Sequence, residues 1–146
     1  MSIPLKDAAS FVCERGSWKV SNLALQKILY LGQMVHLGRN GTRLFDAGFE
    51  AWDYGPVIPQ LYSMAKPFGD KPLPSLLFPR AQIRNAPEYR ILEECSVYGL
   101  SKTPGQLVAM THWDSGAWAK HYRPGIKGIK IPDSDIANEY RDRVAA

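Results

Sequence analysis

Apolar positions recur at helical spacing over most of this chain and lose that spacing in two places. Leu5, Ala8, Ala9 and Val12 mark the buried stripe of a first helix, which opens at Ser2-Ile3-Pro4 and runs to about Arg15, with Gly16 as its stop. Ser21 or Asn22 caps a second helix that runs to about Leu37, before Gly38. Its apolar residues, Leu23, Leu25, Ile28, Leu29, Leu31 and Val35, cover more than one face, the pattern of a central helix touched on several sides. Residues 39–55 lose the helical period, and Phe45 and the Phe49–Trp52 piece, separated by Asp46-Ala47-Gly48, are expected to pair as a small hairpin. A third helix is expected from about Pro56 to Ala65, with Pro59 tolerated in its first turn. Prolines at 67, 72, 74, 79 and 87 rule out a long regular element there and predict a tethered surface loop.

Beyond the loop the helical period returns. Asn85 is placed to cap a fourth helix, with Glu88 three residues on as in a capping box. Its stripe is Ile91, Leu92, Cys95 and Tyr98, and Gly99 ends it. Thr103-Pro104-Gly105-Gln106 starts a short fifth helix with hydroxyl cap, proline and glutamine in order. Asp114 or Ser115 caps a sixth helix that carries Trp118 and ends before Pro124-Gly125. Ile126, Ile129 and Ile131 suggest a short irregular strand, and Asp133 or Ser134 begins a final helix. The sum is a mainly α fold: a compact bundle of about six to seven helices with a small β-hairpin or short strands, in one domain over residues 1–146.

The segment FEAWDYGPVIPQLY at 49–62 is the densest in information. It gathers Phe49, Trp52, Tyr54 and Tyr62 around a Gly55-Pro56 turn, which reads as a corner of the core or as a recognition surface. Its only ionisable groups are Glu50, Asp53 and the tyrosines, a poor basis for catalysis.

Composition narrows the class. The chain has 146 residues, 45% hydrophobic and 22% charged, which fits a soluble globular protein with a real core. No apolar run approaches the ~20 residues that span a bilayer, so no membrane association is expected. The amino terminus, with Lys6-Asp7 and no long apolar stretch, does not read as a secretory signal. Cys13 and Cys95 lie far apart without a Cys-x-x-Cys partner, the pattern of reduced buried thiols in a cytoplasmic protein. The net charge of +4 permits attraction to polyanions, but acidic and basic residues are interspersed.

Candidate chemistry is sparse. A metal-dependent hydrolase would use His112, Asp114 and His121, whose spacing lacks the one-turn separation that helical metal sites prefer. There is no Gly-x-Ser-x-Gly, and Gly38-Arg39-Asn40-Gly41 lacks the lysine and spacing of a phosphate loop. The expectation is a non-enzyme without metal or cofactor. Lys27 sits among leucines in mid-helix; it either snorkels to solvent or pairs with Glu50 or Asp53. Lys120-His121-Tyr122-Arg123 through Lys127-Gly128-Ile129-Lys130 is the most basic stretch, the basis for a small nucleic-acid-binding regulator as an alternative, but no complete nucleic-acid motif accompanies it. A helix-turn-helix through Thr111-His112-Trp113-Asp114 would carry a bulky Trp113 in its turn.

Three segments together carry a family likeness. LALQKILYLGQ at 23–33, FEAWDYGPVIPQLY at 49–62 and THWDSGAW at 111–118 resemble, in order and spacing, the SocA-like antitoxin family, also called the Panacea domain. The closing IKIPDSDIANEYRDR resembles the family's last helix, so the likeness covers nearly the whole chain. Ala117 stands where the family usually has proline, and Asp114 where it more often has glutamate. The resemblance implies a mainly helical bacterial or phage domain that neutralises a toxin encoded beside it by direct protein-protein contact, with some relatives also acting as proteolytic adaptors. It makes Lys27, Tyr30, Phe49, Glu50, Trp52, Tyr54, Gly55, Pro56, Val57, Gln60, Tyr62, Thr111, His112, Asp114 and Trp118 the motif and candidate partner-contact residues. The three motifs are expected to pack together with Trp52 and Trp118 substantially buried, leaving Tyr54, Val57, Gln60 and Tyr62 to offer exposed edges to the toxin.

Overall fold

The computed structural model describes residues 2–79 and 85–145; residues 80–84 of the proline-rich segment lie outside the described residues. Helix α1 (Leu5–Arg15) follows Pro4 and stops at Gly16, as its stripe and punctuation predict. Helix α2 (Asn22–Asn40) is capped by Ser21, whose hydroxyl accepts from the Ala24 N–H. Tyr30, Lys27, Leu25, Ile28 and Leu29 are among its fully buried side chains, so it is the central helix.

Helix α2 runs three residues past the expected end and terminates at Gly41, which takes the left-handed conformation at φ 74°. Gly38 therefore serves packing. A Cβ there would meet the Tyr140 ring at 2.2 Å, so only glycine lets the last helix lie against α2.

The aromatic corner differs most from expectation. Phe45 does not join a hairpin with 49–52; it makes an isolated parallel bridge with Ile3. Strand β1 (Phe49–Trp52) instead pairs antiparallel with β2 (Gly55–Val57), joined by the two-residue turn Asp53-Tyr54. Gly55 sits at φ 113°, a conformation closed to side chains, and sets the tight reversal. Pro56 thus lies in a strand and does not open a helix. Proline is tolerated there because β2 is an edge strand of the sheet, in order β2-β1-β3. Strand β3 (Lys130–Ile131) pairs with β1 and is shorter than the expected 126–131 run; Ile126 is exposed. Helix α3 (Pro59–Ala65) then starts with Pro59 in its first turn.

The proline-rich segment carries two short 3-10 turns, Lys66–Phe68 and Ser75–Leu77. It is tethered by Leu73 and Phe78, each 1% exposed. Helix α4 (Pro87–Leu100) begins with Pro87 at the first position, behind Ala86, so Asn85 falls one residue too early and the capping box does not form. Helix α5 (Pro104–Thr111) has the full reciprocal capping box of Thr103 and Gln106. Helix α6 (Ala117–His121) starts two residues later than a cap at Asp114 would dictate, with Gly116 as the residue before it. Glu139 of α7 (Asp133–Ala145) supplies the missing cap from a distance, accepting from the Ala117 N–H at 2.9 Å.

Around α2 pack α7, α4, α5 and α1, with β2 against its amino-terminal half. Two glutamines, two turns apart on one face of α2, hold the irregular chain to it. Gln26 brackets Ile58, accepting from its N–H at 2.8 Å and donating to its carbonyl at 3.3 Å. Gln33 accepts from Leu44 N–H at 2.8 Å and donates to the carbonyls of Phe45 and Ala47 at 3.1 and 2.9 Å. Both amides are buried and satisfied, so each stands in for the strand pairing that this backbone lacks.

Candidate functional site

The three sequence motifs meet around the β1–β2 hairpin. Trp118 of α6 is 9% exposed, and its indole N–H donates to the Trp52 carbonyl at 2.7 Å. Its ring is sandwiched between His112 at 3.8 Å and Tyr122 at 4.5 Å between centroids, both nearly parallel. The Tyr122 hydroxyl in turn donates to Asp53 in the hairpin turn. Trp52 is half-buried; it meets Tyr62 edge-on at 4.8 Å and donates its indole N–H to Glu50 at 2.9 Å. Phe49 is in the core, edge-on to Tyr30 at 5.1 Å.

Lys27 fits neither of the readings open from sequence. It does not snorkel, being 1% exposed, and among the described residues no carboxylate pairs with it. Glu50 is committed to the Trp52 indole and Asp53 to Tyr122. The Lys27 ammonium donates to the Pro56 carbonyl at 3.0 Å. Burial holds its pKa down from the ordinary 10.5 to about 7. Gly55 faces this amine: a Cβ there would lie 2.9 Å from Lys27 Nζ and 3.1 Å from Thr111 Oγ1. The glycine is thus demanded twice, by its backbone angle and by the lysine.

Thr111 is buried and donates back into α5, to the carbonyls of Leu107 and Val108. His112 is held below its ordinary pKa, chiefly by burial and further by the Lys27 charge, against an opposing hydrogen bond with the Tyr54 backbone. Asp114 is exposed. His121 turns away from both and lies 2.6 Å from Asp135, whose carboxyl it holds below the usual range. Among the described residues no group of three or more His, Cys, Asp or Glu side chains converges as metal ligands would. Helix α6 spans only five residues with Trp118 buried, so α5–α6 presents no recognition helix. In the basic stretch Lys120 pairs with Asp135 at 3.3 Å and Lys127 lies 4.5 Å over the Trp52 ring.

Of the candidate contact residues, Tyr54 is 72% exposed at the hairpin tip, Gln60 is exposed, Tyr62 is half-buried and Val57 is buried. Sequence reasoning passed over Glu139, 1% exposed, which accepts from the Tyr30 hydroxyl at 2.7 Å as well as from Ala117. Its signal was an acidic residue one turn before Arg143 on a helix otherwise carrying its apolar residues on the same side. It links the first motif to the third through the closing helix. The Tyr30 hydroxyl is pushed well above its usual pKa by burial and by that carboxylate, and remains a donor.

No helix among the described residues is long and apolar enough to cross a membrane. A search of solved structures gives no significant match. The curated protein named "Antitoxin SocA", from Caulobacter vibrioides (strain NA1000 / CB15N), is 29% identical over 136 residues, 84% of this chain and 72% of that protein. The family model described as "Antitoxin SocA-like, Panacea domain" matches residues 25–119, a span that begins two residues inside the first motif and holds the other two motifs and the β1–β2 hairpin. With that match over more than half its length, the chain belongs to the SocA-like antitoxin family, Panacea domain.

Proposed function

We propose that this protein neutralises a protein toxin encoded beside it by binding it directly, through the outer side of the hairpin corner. The observation that carries the reading is a rigidly held turn with an exposed tyrosine at its tip. The carbonyls of Trp52 and Pro56 are fixed by Trp118 and Lys27, while Tyr54 between them stands 72% exposed. A ring carried on a backbone already held in place needs less ordering on binding, which favours an interface anchor. The name of the Caulobacter relative supports the same role.

The test pairs growth with binding. The adjacent reading frame, expressed alone, should arrest growth, and co-expression of this chain should restore it. Tyr54→Ala and Tyr62→Ala should stay folded yet weaken toxin binding by about 2 kcal/mol or more for a central anchor, roughly 30-fold in Kd. Folded variants that protect and bind as the parent does would place the interface elsewhere. The same strains separate sequestration from delivery to a protease, because an adaptor shortens the toxin's half-life and a simple binder lengthens it.

A further inference from the structure

A hollow of about 390 Å³ lies beside the hairpin turn. Trp52, Tyr54 and Tyr62 give it aromatic walls. Its charged lining is unequal: Lys27, Lys66 and Lys127 against Asp53 and Asp70, with Asp53 already accepting the Tyr122 hydroxyl. We propose that this hollow receives an acidic side chain of the bound toxin, its carboxylate pairing with Lys27 while an adjoining apolar group lies against the three rings. The inference rests on the toxin-binding reading above and specifies its chemistry.

Two observations select the carboxylate. Lys27 is 1% exposed and has three donors, yet among the described residues its hydrogen-bond acceptor is the single Pro56 carbonyl. A buried ammonium without a counter-charge is costly, and a partner carboxylate supplies what the fold omits. Burial brings the amine's pKa down to about 7, and a carboxylate arriving beside it would favour the protonated form. Gly55 beside the amine adds no side chain to crowd it: a Cβ there would lie 2.9 Å from Nζ. The two lining aspartates argue against a multiply charged phosphate, whose repulsion with them a single carboxylate halves. The apolar neighbour follows from the rings, which offer flat faces and edges beside the amine.

The experiment needs no toxin. The whole chain, labelled with 15N and with 13C at lysine Cε, is titrated with 3-phenylpropionate and, separately, with 3-phenylpropionamide, followed by NMR. The acid should bind at least about 10-fold more tightly than the amide, moving the Trp52 indole and Lys27 signals and raising the Lys27 titration midpoint by about one unit or more. Lys27→Met should abolish the preference, and Lys66→Met should leave most of it. Equal binding of acid and amide, binding of neither, shifts confined to other surfaces, or a preference that survives Lys27→Met would each overturn the proposal. Toxin binding is then measured with and without saturating 3-phenylpropionate. A toxin that binds regardless of the acid sinks this inference and leaves the antitoxin reading standing. A neighbouring protein that does not bind the parent chain at all sinks the antitoxin reading, whatever the probe does.

Discussion

Replacing Glu139 should unfasten the closing helix from the rest of the fold. It is 1% exposed and its carboxylate accepts from three donors, the Tyr30 hydroxyl at 2.7 Å, the Ala117 N–H at 2.9 Å and Arg143 Nε at 2.8 Å, with Arg143 Nη2 at 2.7 Å completing the ion pair. Those donors come from α2, α6 and α7, so one side chain ties three elements. Glu139→Ala strands the hydroxyl and the amide in a dry interior, where each orphaned group costs about 1–3 kcal/mol. Arg143 suffers less, since it is 26% exposed, keeps the Met110 carbonyl as acceptor and lies 4.8 Å over the Trp113 ring. Adding the broken ion pair gives a total of about 3–5 kcal/mol, a large part of the ~5–15 kcal/mol that holds a domain together. Glu139→Gln keeps one oxygen for Tyr30 and Ala117 but turns an amide N–H₂ toward Arg143, for about 1–3 kcal/mol. Urea unfolding with an unchanged m-value measures both, and a cycle with Tyr30→Phe should show coupling of about 0.5–3 kcal/mol. A Glu139→Ala loss under about 1 kcal/mol, or no coupling to Tyr30, would refute the view that this carboxylate fastens the helices.

Gly55→Ala should cost about 1–3 kcal/mol in thermal or urea unfolding, because φ 113° strains any side chain and the new Cβ lies 2.9 Å from Lys27 Nζ. Lys27 sets a pH dependence: between about 7 in the folded chain and 10.5 in the unfolded chain, the unfolded state holds a proton that the folded one lacks. Stability due to this group therefore rises with pH across that window, and Lys27→Met should remove a rise of up to ~1.4 kcal/mol per pH unit, read as the difference between parent and variant urea curves. Tyr54→Ala, at a residue 72% exposed, should leave stability within about 0.5 kcal/mol by the same assay. Glu94→Gln should cost less than about 1 kcal/mol although Arg39 contacts both its carboxylate oxygens at 3.0 Å, because the side chains are 42% and 55% exposed.

Helices whose caps and stripes agree were legible from sequence: α1, α5 with its capping box, and the central α2 with apolar residues on every side. Errors arose where a distant residue did the work that a local one was expected to do. Asp114 and Ser115 look like caps for α6, but Glu139 satisfies the Ala117 N–H from another helix. Gly38 looks like a stop, but its bare Cα makes room for Tyr140. Pro56 looks like a helix start, but an edge strand accommodates it because no neighbour asks for its missing N–H. The site was partly legible too. The aromatic corner and Lys27 stood out by type, while the lysine's lack of a carboxylate partner depends on where Glu50 and Asp53 turn, which no spacing reveals. Gln26 and Gln33 were equally hidden, since a buried amide reads as an ordinary polar residue until the backbone it brackets is placed.

The central claim is that the hairpin corner holds the toxin, and calorimetry tests it most directly. The purified product of the adjacent reading frame is titrated with the parent chain, with Tyr54→Ala and with Glu94→Gln, whose exposed ion pair lies on α4, away from the corner. The account predicts saturable binding by the parent, an affinity lower by roughly 30-fold for Tyr54→Ala, and no change for Glu94→Gln. Parent-like affinity in a folded Tyr54→Ala protein, or no binding by the parent, would contradict it.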